Sequence, residues 1–237
     1  MSPRPALGGP ASLAPAVADV VILLDCDNTL FDNDRLEQDL RDRLAREFGA
    51  AGRDRYWAFL EELRGALGYA DFLGALQRCR PDDRCDPRLL RMSGFLLDYP
   101  FADRLYPGVL DVLERLRVVG PTVILSDGDV VFQPHKLQRS GLWTAVEGRA
   151  LIYIHKDRML ADVAARYPAR RYVMVGDKLR VLAAMKDVWG DRLTTVFARQ
   201  GHYAFDPKHL ATYPAADLTI ERISDLDPER FSAPHQE

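Results

Sequence analysis

The chain has 237 residues, of which 47% are hydrophobic and 28% charged, with a formal net charge of −3. That is ordinary for a globular protein of one domain, or of one domain with a sizeable insertion. The mild charge and scattered lysines and arginines give no footprint for nucleic acid or a membrane surface, so neither partner is expected.

Residues 1–17, rich in Pro, Ala and Gly, read as a disordered leader. Prolines break their apolar part, which argues against a signal peptide. Next comes "VVILL", five apolar residues ending at Asp25. Similar runs follow at "TVIL" before Ser126, "YVMV" before Gly176 and Asp177, "LTTVF" before "ARQG", and "ADLTI". Runs without polar alternation predict strands buried on both faces, hence a parallel sheet.

Helical patterns lie between them: "GVLDVLERLRVVG" after Pro107, "DRMLADVAARYP" from Asp157 and "LRVLAAMKDVWG" from Leu179. The segment "PHKLQRSGL" reads as a surface helix. Alternating strands and helices predict an α/β doubly wound, Rossmann-like parallel sheet. In such sheets the polar residues at the carboxyl ends of strands line the ligand crevice. Asp25, Ser126 and Asp177 stand there.

Residues 32–105 are different. Leu36, Leu40, Leu44 and Phe48 recur at helical spacing, as do Tyr56, Leu60, Leu63 and Leu67. Tyr69, Phe72, Leu73 and Leu76 predict a third helix, and Leu89 to Leu97 a fourth. Gly68, Pro81 and Pro87 punctuate them. This predicts an all-helical domain inserted behind the first strand, with an α/β core over 18–31 and 106–228 and a flexible tail over 229–237. The aromatic residues Tyr56, Trp57, Phe59, Tyr69 and Phe72 are assigned to the bundle core.

No apolar run approaches the roughly 20 residues needed to span a bilayer. Cys26, Cys79 and Cys85 form neither a disulfide framework nor a zinc-site spacing. All three read as structural, in a reducing compartment, and the protein as cytoplasmic.

The paired aspartates need an explanation. Residues two apart in a strand point the same way, so Asp25 and Asp27 repel unless something offsets their charge. Mg²⁺ is such an agent: it prefers oxygen and is held by one or two carboxylates plus phosphate oxygens. Asp177 offers a further carboxylate. An aspartate so placed can attack phosphorus, and its neighbour can move the protons. Ser126, the amides after it and a lysine are suited to holding the phosphoryl group.

These residues carry a resemblance. "DCDNTL" resembles the first motif of the haloacid dehalogenase-like (HAD) superfamily, an aspartate nucleophile followed two residues on by an acid/base aspartate. "VILSDGD" is similar to its second motif and "VGDK" to the start of its fourth. "YPGVLDVLERLR" resembles the return to the core after a helical cap. The resemblance covers about Val20 to Ile220.

It implies Asp25 as nucleophile and metal ligand. Asp27 would be the acid/base, lending its carbonyl to Mg²⁺, and Asp177 a further ligand. Ser126, with the Asp127 amide, would bind phosphate. Lys156, in "YIHKDRML", resembles the third-motif lysine that offsets charge on the nucleophile and binds the phosphate, and is preferred to Lys136. The chain departs from the pattern where a second acid of the fourth motif would stand, at Val181 or Leu182, which predicts weaker metal binding or a rearranged site. Lys178 either substitutes for a charge or is a solvated lysine, and His202 either faces the crevice or is a loop residue. Asp129 is expected to cap the following helix.

The leading expectation is Mg²⁺-dependent hydrolysis of a small phosphomonoester through an aspartyl-phosphate. Asp27 favours this over dehalogenation, whose leaving halide needs no proton. Residues 32–105 contain no lysine, which argues against Schiff-base phosphonate chemistry. Phosphomutase activity, haloacid dehalogenase-type hydrolysis and a non-catalytic binding role are the alternatives. Substrate identity and oligomeric state are not legible.

Overall fold

The structure, a computed structural model, describes residues 16–80 and 86–231. Six parallel strands form one sheet: β1 (Ala18–Leu24), β2 (Thr122–Asp127), β3 (Ala150–Tyr153), β4 (Ala169–Gly176), β5 (Leu193–Ala198) and β6 (Leu218–Ile220). Their order is β3-β2-β1-β4-β5-β6. The chain leaves β1 in one direction and later returns to its other side, so the topological switch point lies between β1 and β4.

Strand β1 shows why the apolar runs are continuous. Val20, Ile22 and Leu24 belong to the core on one face of the sheet, Val21 and Leu23 to the core on the other. The first face packs on α4 (Val109–Leu116), α5 (Phe132–Arg139) and α6 (Leu142–Ala145). The second packs on α7 (Leu160–Arg166) and α8 (Leu179–Trp189). A short α9 (Pro207–Thr212) precedes β6.

Between β1 and β2, ahead of α4, come α1 (Asn33–Leu67), α2 (Phe72–Arg78) and α3 (Pro87–Leu97), with no strand among the described residues there. Gly49, at φ 72° inside α1, breaks its helical geometry, so the two periodic stretches of the sequence are two helical arms. Asp32, Asp71 and Asp86 cap the three helices through their carboxylates. Gly68 closes α1 in the left-handed conformation. The Tyr56 hydroxyl donates to the Phe72 carbonyl at 2.9 Å, tying α1 to α2.

Three sequence expectations are corrected. Strand β3 was not among the predicted strands, although its residues, ALIY, form an unbroken apolar run: it is short, lies at the sheet edge and is mostly half-buried. The predicted tail over 229–237 begins inside a 3-10 turn, Pro228–Phe231, which buries Phe231; residues 232–237 lie outside the described residues. Helix α5 forms as expected but is no surface helix, because Phe132, Gln133, Lys136 and Leu137 are all buried. Most of the predicted leader, residues 1–15, and Cys85 also fall outside the described residues. Cys26 and Cys79 are buried, free thiols, and burial pushes the Cys26 thiol well above its usual range. Among the described residues no helix is long and apolar enough to cross a membrane.

Candidate active site

Register brings the predicted residues together. Leu24 pairs with Ile124 in β2 and with Val175 in β4. Asp25, Ser126 and Asp177 therefore emerge at one edge of three adjacent strands. The Asp25 amide donates to the Val175 carbonyl at 2.9 Å, extending the ladder to the aspartate itself.

Asp25 is 5% exposed. Its Oδ1 accepts the Cys26 amide at 2.8 Å and lies 2.6 Å from Lys156 Nζ. Lys156, also buried, donates from Nζ to the Leu125 carbonyl at 3.1 Å. It belongs to a 3-10 turn after β3, and its amide donates to Asp127 Oδ1 at 2.7 Å. Burial holds the Asp127 carboxyl above its ordinary range despite Lys156. The structure thus pairs the expected lysine with the expected nucleophile.

Beyond Asp25 the chain turns sharply. The amides of Thr29, Leu30 and Phe31 converge on the Cys26 carbonyl, and Asn28 takes the left-handed conformation at φ 58°. The Asn28 carboxamide oxygen accepts the Asn33 and Asp34 amides at 3.0 and 3.2 Å, binding the turn to the start of α1. Gly201, at φ 68°, crosses so close that a Cβ there would lie 2.4 Å from Asn28 Cβ.

This turn presents Asp27, whose side chain is 28% exposed. Its Oδ1 lies 2.6 Å from Lys136 Nζ, and Gln133 Nε2 donates to Oδ2 at 3.4 Å. Burial alone would raise the Asp27 carboxyl. The Lys136 ammonium and its hydrogen bond outweigh that and hold it below the usual range, with Lys178 and Gln133 adding. Lys136, set aside by the sequence reading, is therefore a site residue. So are Gln133, which donates to Ser126 Oγ at 2.8 Å, and Asn33, whose Oδ1 accepts from Lys136 at 3.1 Å. One signal was available: Lys136 is four residues from the apolar Phe132, on the same helix face.

Asp177 is fully buried, and neither carboxylate oxygen has a hydrogen-bond partner. Its carboxyl is pushed up to about 7, first by burial and further by Asp25, against the pull of Lys178 and Lys156. Lys178 is no solvated lysine. Burial works against its charge, yet Asp177, Asp25 and Asp27 raise its pKa, and its ammonium lies over the Tyr203 ring at 4.7 Å. Val181 and Leu182 pack in the core behind the site, so no acid stands there. Asp129 Oδ1 accepts the Val131 and Phe132 amides at 2.8 and 2.5 Å, bracing the turn into α5, but the N-cap position itself is Val131, which caps with no side chain. His202 bonds Asp34 through its amide and its ring, at 2.7 and 2.6 Å, rather than any reacting group.

A cavity of about 630 Å³ opens from Asp27 toward the helical insertion. Trp57 and Tyr69, expected in the bundle core, line it with Arg41, Lys178 and Tyr203. The Arg41 guanidinium stacks 3.4 Å above the Trp57 ring, while Arg64 is paired with Glu37 and Glu61.

A family model for haloacid dehalogenase-like hydrolases matches residues 20–188. The crystal structure of a haloacid dehalogenase-like hydrolase from Burkholderia xenovorans is 62% identical, with a TM-score of 0.84 over 91% of this chain and 100% of its own. An L-2-haloacid dehalogenase from Xanthobacter autotrophicus shares the fold at 17% identity, TM-score 0.55, over 86% of this chain and 95% of its own. A HAD-hydrolase from Bacillus subtilis does so at 15% identity, TM-score 0.56, over 87% and 96%. Among curated proteins none matches.

Proposed function

This chain belongs to the haloacid dehalogenase-like hydrolases, and from that premise we propose that it hydrolyses a small phosphomonoester through an aspartyl-phosphate on Asp25, with Mg²⁺ as cofactor. The observation that carries the reading is Asp27. It is a second carboxylate two residues beyond Asp25, hydrogen-bonded through both oxygens and open to the cavity. An alkoxide leaving group requires a proton and a halide does not, so carbon–halogen cleavage would leave Asp27 and its partners without a task.

A carboxylate oxygen of Asp25 attacks phosphorus, the bond to the leaving oxygen breaks, and that oxygen takes a proton through Asp27, which must first take it up against the pull of Lys136. Asp27, now ionised, takes a proton from water. The water oxygen attacks phosphorus, the bond to Asp25 breaks, and inorganic phosphate forms. The charge of Lys156 beside Asp25 offsets negative charge on the nucleophile and the phosphoryl group. Ser126, its hydroxyl oriented by Gln133, and the amides following it hold the phosphoryl oxygens.

Asp177 supports a cation at the site: a buried carboxylate with two unpartnered oxygens costs free energy unless it meets positive charge. Among the described residues no three His, Cys, Asp or Glu side chains gather to hold a metal. The donor set would therefore be the Asp25 and Asp177 carboxylates and the Asp27 carbonyl, which fits an ion that keeps several waters, as Mg²⁺ does. When bound, Mg²⁺ supplies charge compensation for the phosphoryl oxygens.

A panel of small phosphate esters, assayed with and without Mg²⁺ on wild type and Asp25→Asn, tests the reading. Turnover that needs both Asp25 and Mg²⁺ is the expected result. Equal residual rates in the two proteins would reject it.

A further inference from the structure

Helix α5 reaches the acid/base carboxylate with two side chains one turn apart. Lys136 Nζ contacts Asp27 Oδ1 at 2.6 Å, and Gln133 Nε2 spans Ser126 Oγ at 2.8 Å and Asp27 Oδ2 at 3.4 Å. Lys136 is 1% exposed, and its ammonium also lies 5.0 Å from the Phe31 ring centre. Its other polar partner is Asn33 Oδ1, in the first turn of α1. Each aspartate of the pair thus has a lysine of its own: Lys156 for Asp25, Lys136 for Asp27.

Burying an ammonium is costly, and a buried ion pair is often no more stabilising than an apolar pair of the same volume. Packing alone would accept methionine at position 136, beside Phe31 and Phe132. The lysine instead spends its charge on a partly exposed carboxylate at the mouth of the cavity. It fixes that carboxylate along a line running from the core helix to the start of the helical insertion.

We propose that Lys136 is a positioning residue for proton transfer. It holds the Asp27 carboxylate in the orientation that hands a proton to the departing oxygen and takes one from the attacking water. The claim concerns where the carboxylate points. It rests on the phosphomonoesterase reading above.

The test compares leaving groups. The 4-nitrophenolate of 4-nitrophenyl phosphate departs without a proton, whereas the alkoxide of an alkyl phosphate needs one from Asp27. For Lys136→Met, kcat/KM on the alkyl ester, which reports the leaving-group step alone and is compared at the plateau of each pH profile, should fall about 10- to 100-fold further than kcat/KM on 4-nitrophenyl phosphate, the scale set by misaligning a reacting group. KM should be little changed, and Lys136→Arg should narrow the gap. In an Asp27→Asn background, Lys136→Met should cost nothing more. If Lys136→Met does not fold, Lys136→Gln is read in the same way. An equal loss of kcat/KM on both esters, or no loss, overturns the positioning role and leaves the phosphatase reading standing. A wild type that cleaves no ester overturns both.

Discussion

Lys156 grips Asp25 by one oxygen, with Nζ 2.6 Å from Oδ1 and both side chains nearly sealed from solvent. The Cys26 amide shares that oxygen. Both contacts fall on the same oxygen, so the nucleophile is pinned from one side.

Replacing Lys156 by methionine removes the charge that this arrangement depends on. We expect kcat on 4-nitrophenyl phosphate to fall about 10²- to 10³-fold, the usual cost of losing one preorganised electrostatic partner. Circular dichroism should show the fold retained. Activity within a few-fold of wild type would mean that Lys156 does not face the reacting group.

Asp177 gives a pH dependence with a definite sign. Its carboxyl titrates near 7 in the fold, pushed up chiefly by burial, against about 3.9 in an unfolded chain. Between those values the folded state holds more protons, so this group's contribution is complete below about 4 and is lost as pH rises through 7. Without Mg²⁺, Asp177→Asn should gain stability relative to wild type on going from pH 5 to pH 8, by on the order of 1 to 3 kcal/mol. Mg²⁺ should stabilise wild type at pH 8 and not the variant. Denaturant unfolding at the two pH values, with and without Mg²⁺, checks both statements.

Gly201 holds the turn that presents Asp27. A Cβ there would lie 2.4 Å from Asn28 Cβ, and the residue sits at φ 68°. Gly201→Ala should destabilise the protein by about 1 to 3 kcal/mol through backbone strain and displacement of the turn. It should also lower kcat, because Asn28 anchors the segment carrying Asp27. Thermal unfolding together with steady-state kinetics measures the pair of effects.

Much of this architecture was legible because burial on both faces leaves a continuous apolar run, as in Val20–Leu24. Asp25, Ser126 and Asp177 could be read as neighbours because a parallel sheet aligns the carboxyl ends of its strands. The loss of an acid at Val181 and Leu182 was equally plain, and those side chains are core. Lys136 was not. Its helix, "FQPHKLQR", is polar enough to read as exposed, and the carboxylate it pairs with lies 109 positions away in sequence. Trp57 and Tyr69 carry the same lesson. Helical spacing shows that a side chain faces inward; whether it meets core or cavity depends on how the insertion lies over the sheet.

The central claim is covalent chemistry at Asp25. Asp27→Asn, slowed in hydrolysing the intermediate, should be mixed with 4-nitrophenyl phosphate and Mg²⁺, quenched in acid and analysed by peptide mass spectrometry. The account predicts one phosphoryl group on Asp25. Release of 4-nitrophenol with that aspartate unmodified, or a phosphoryl group on another residue, would contradict it.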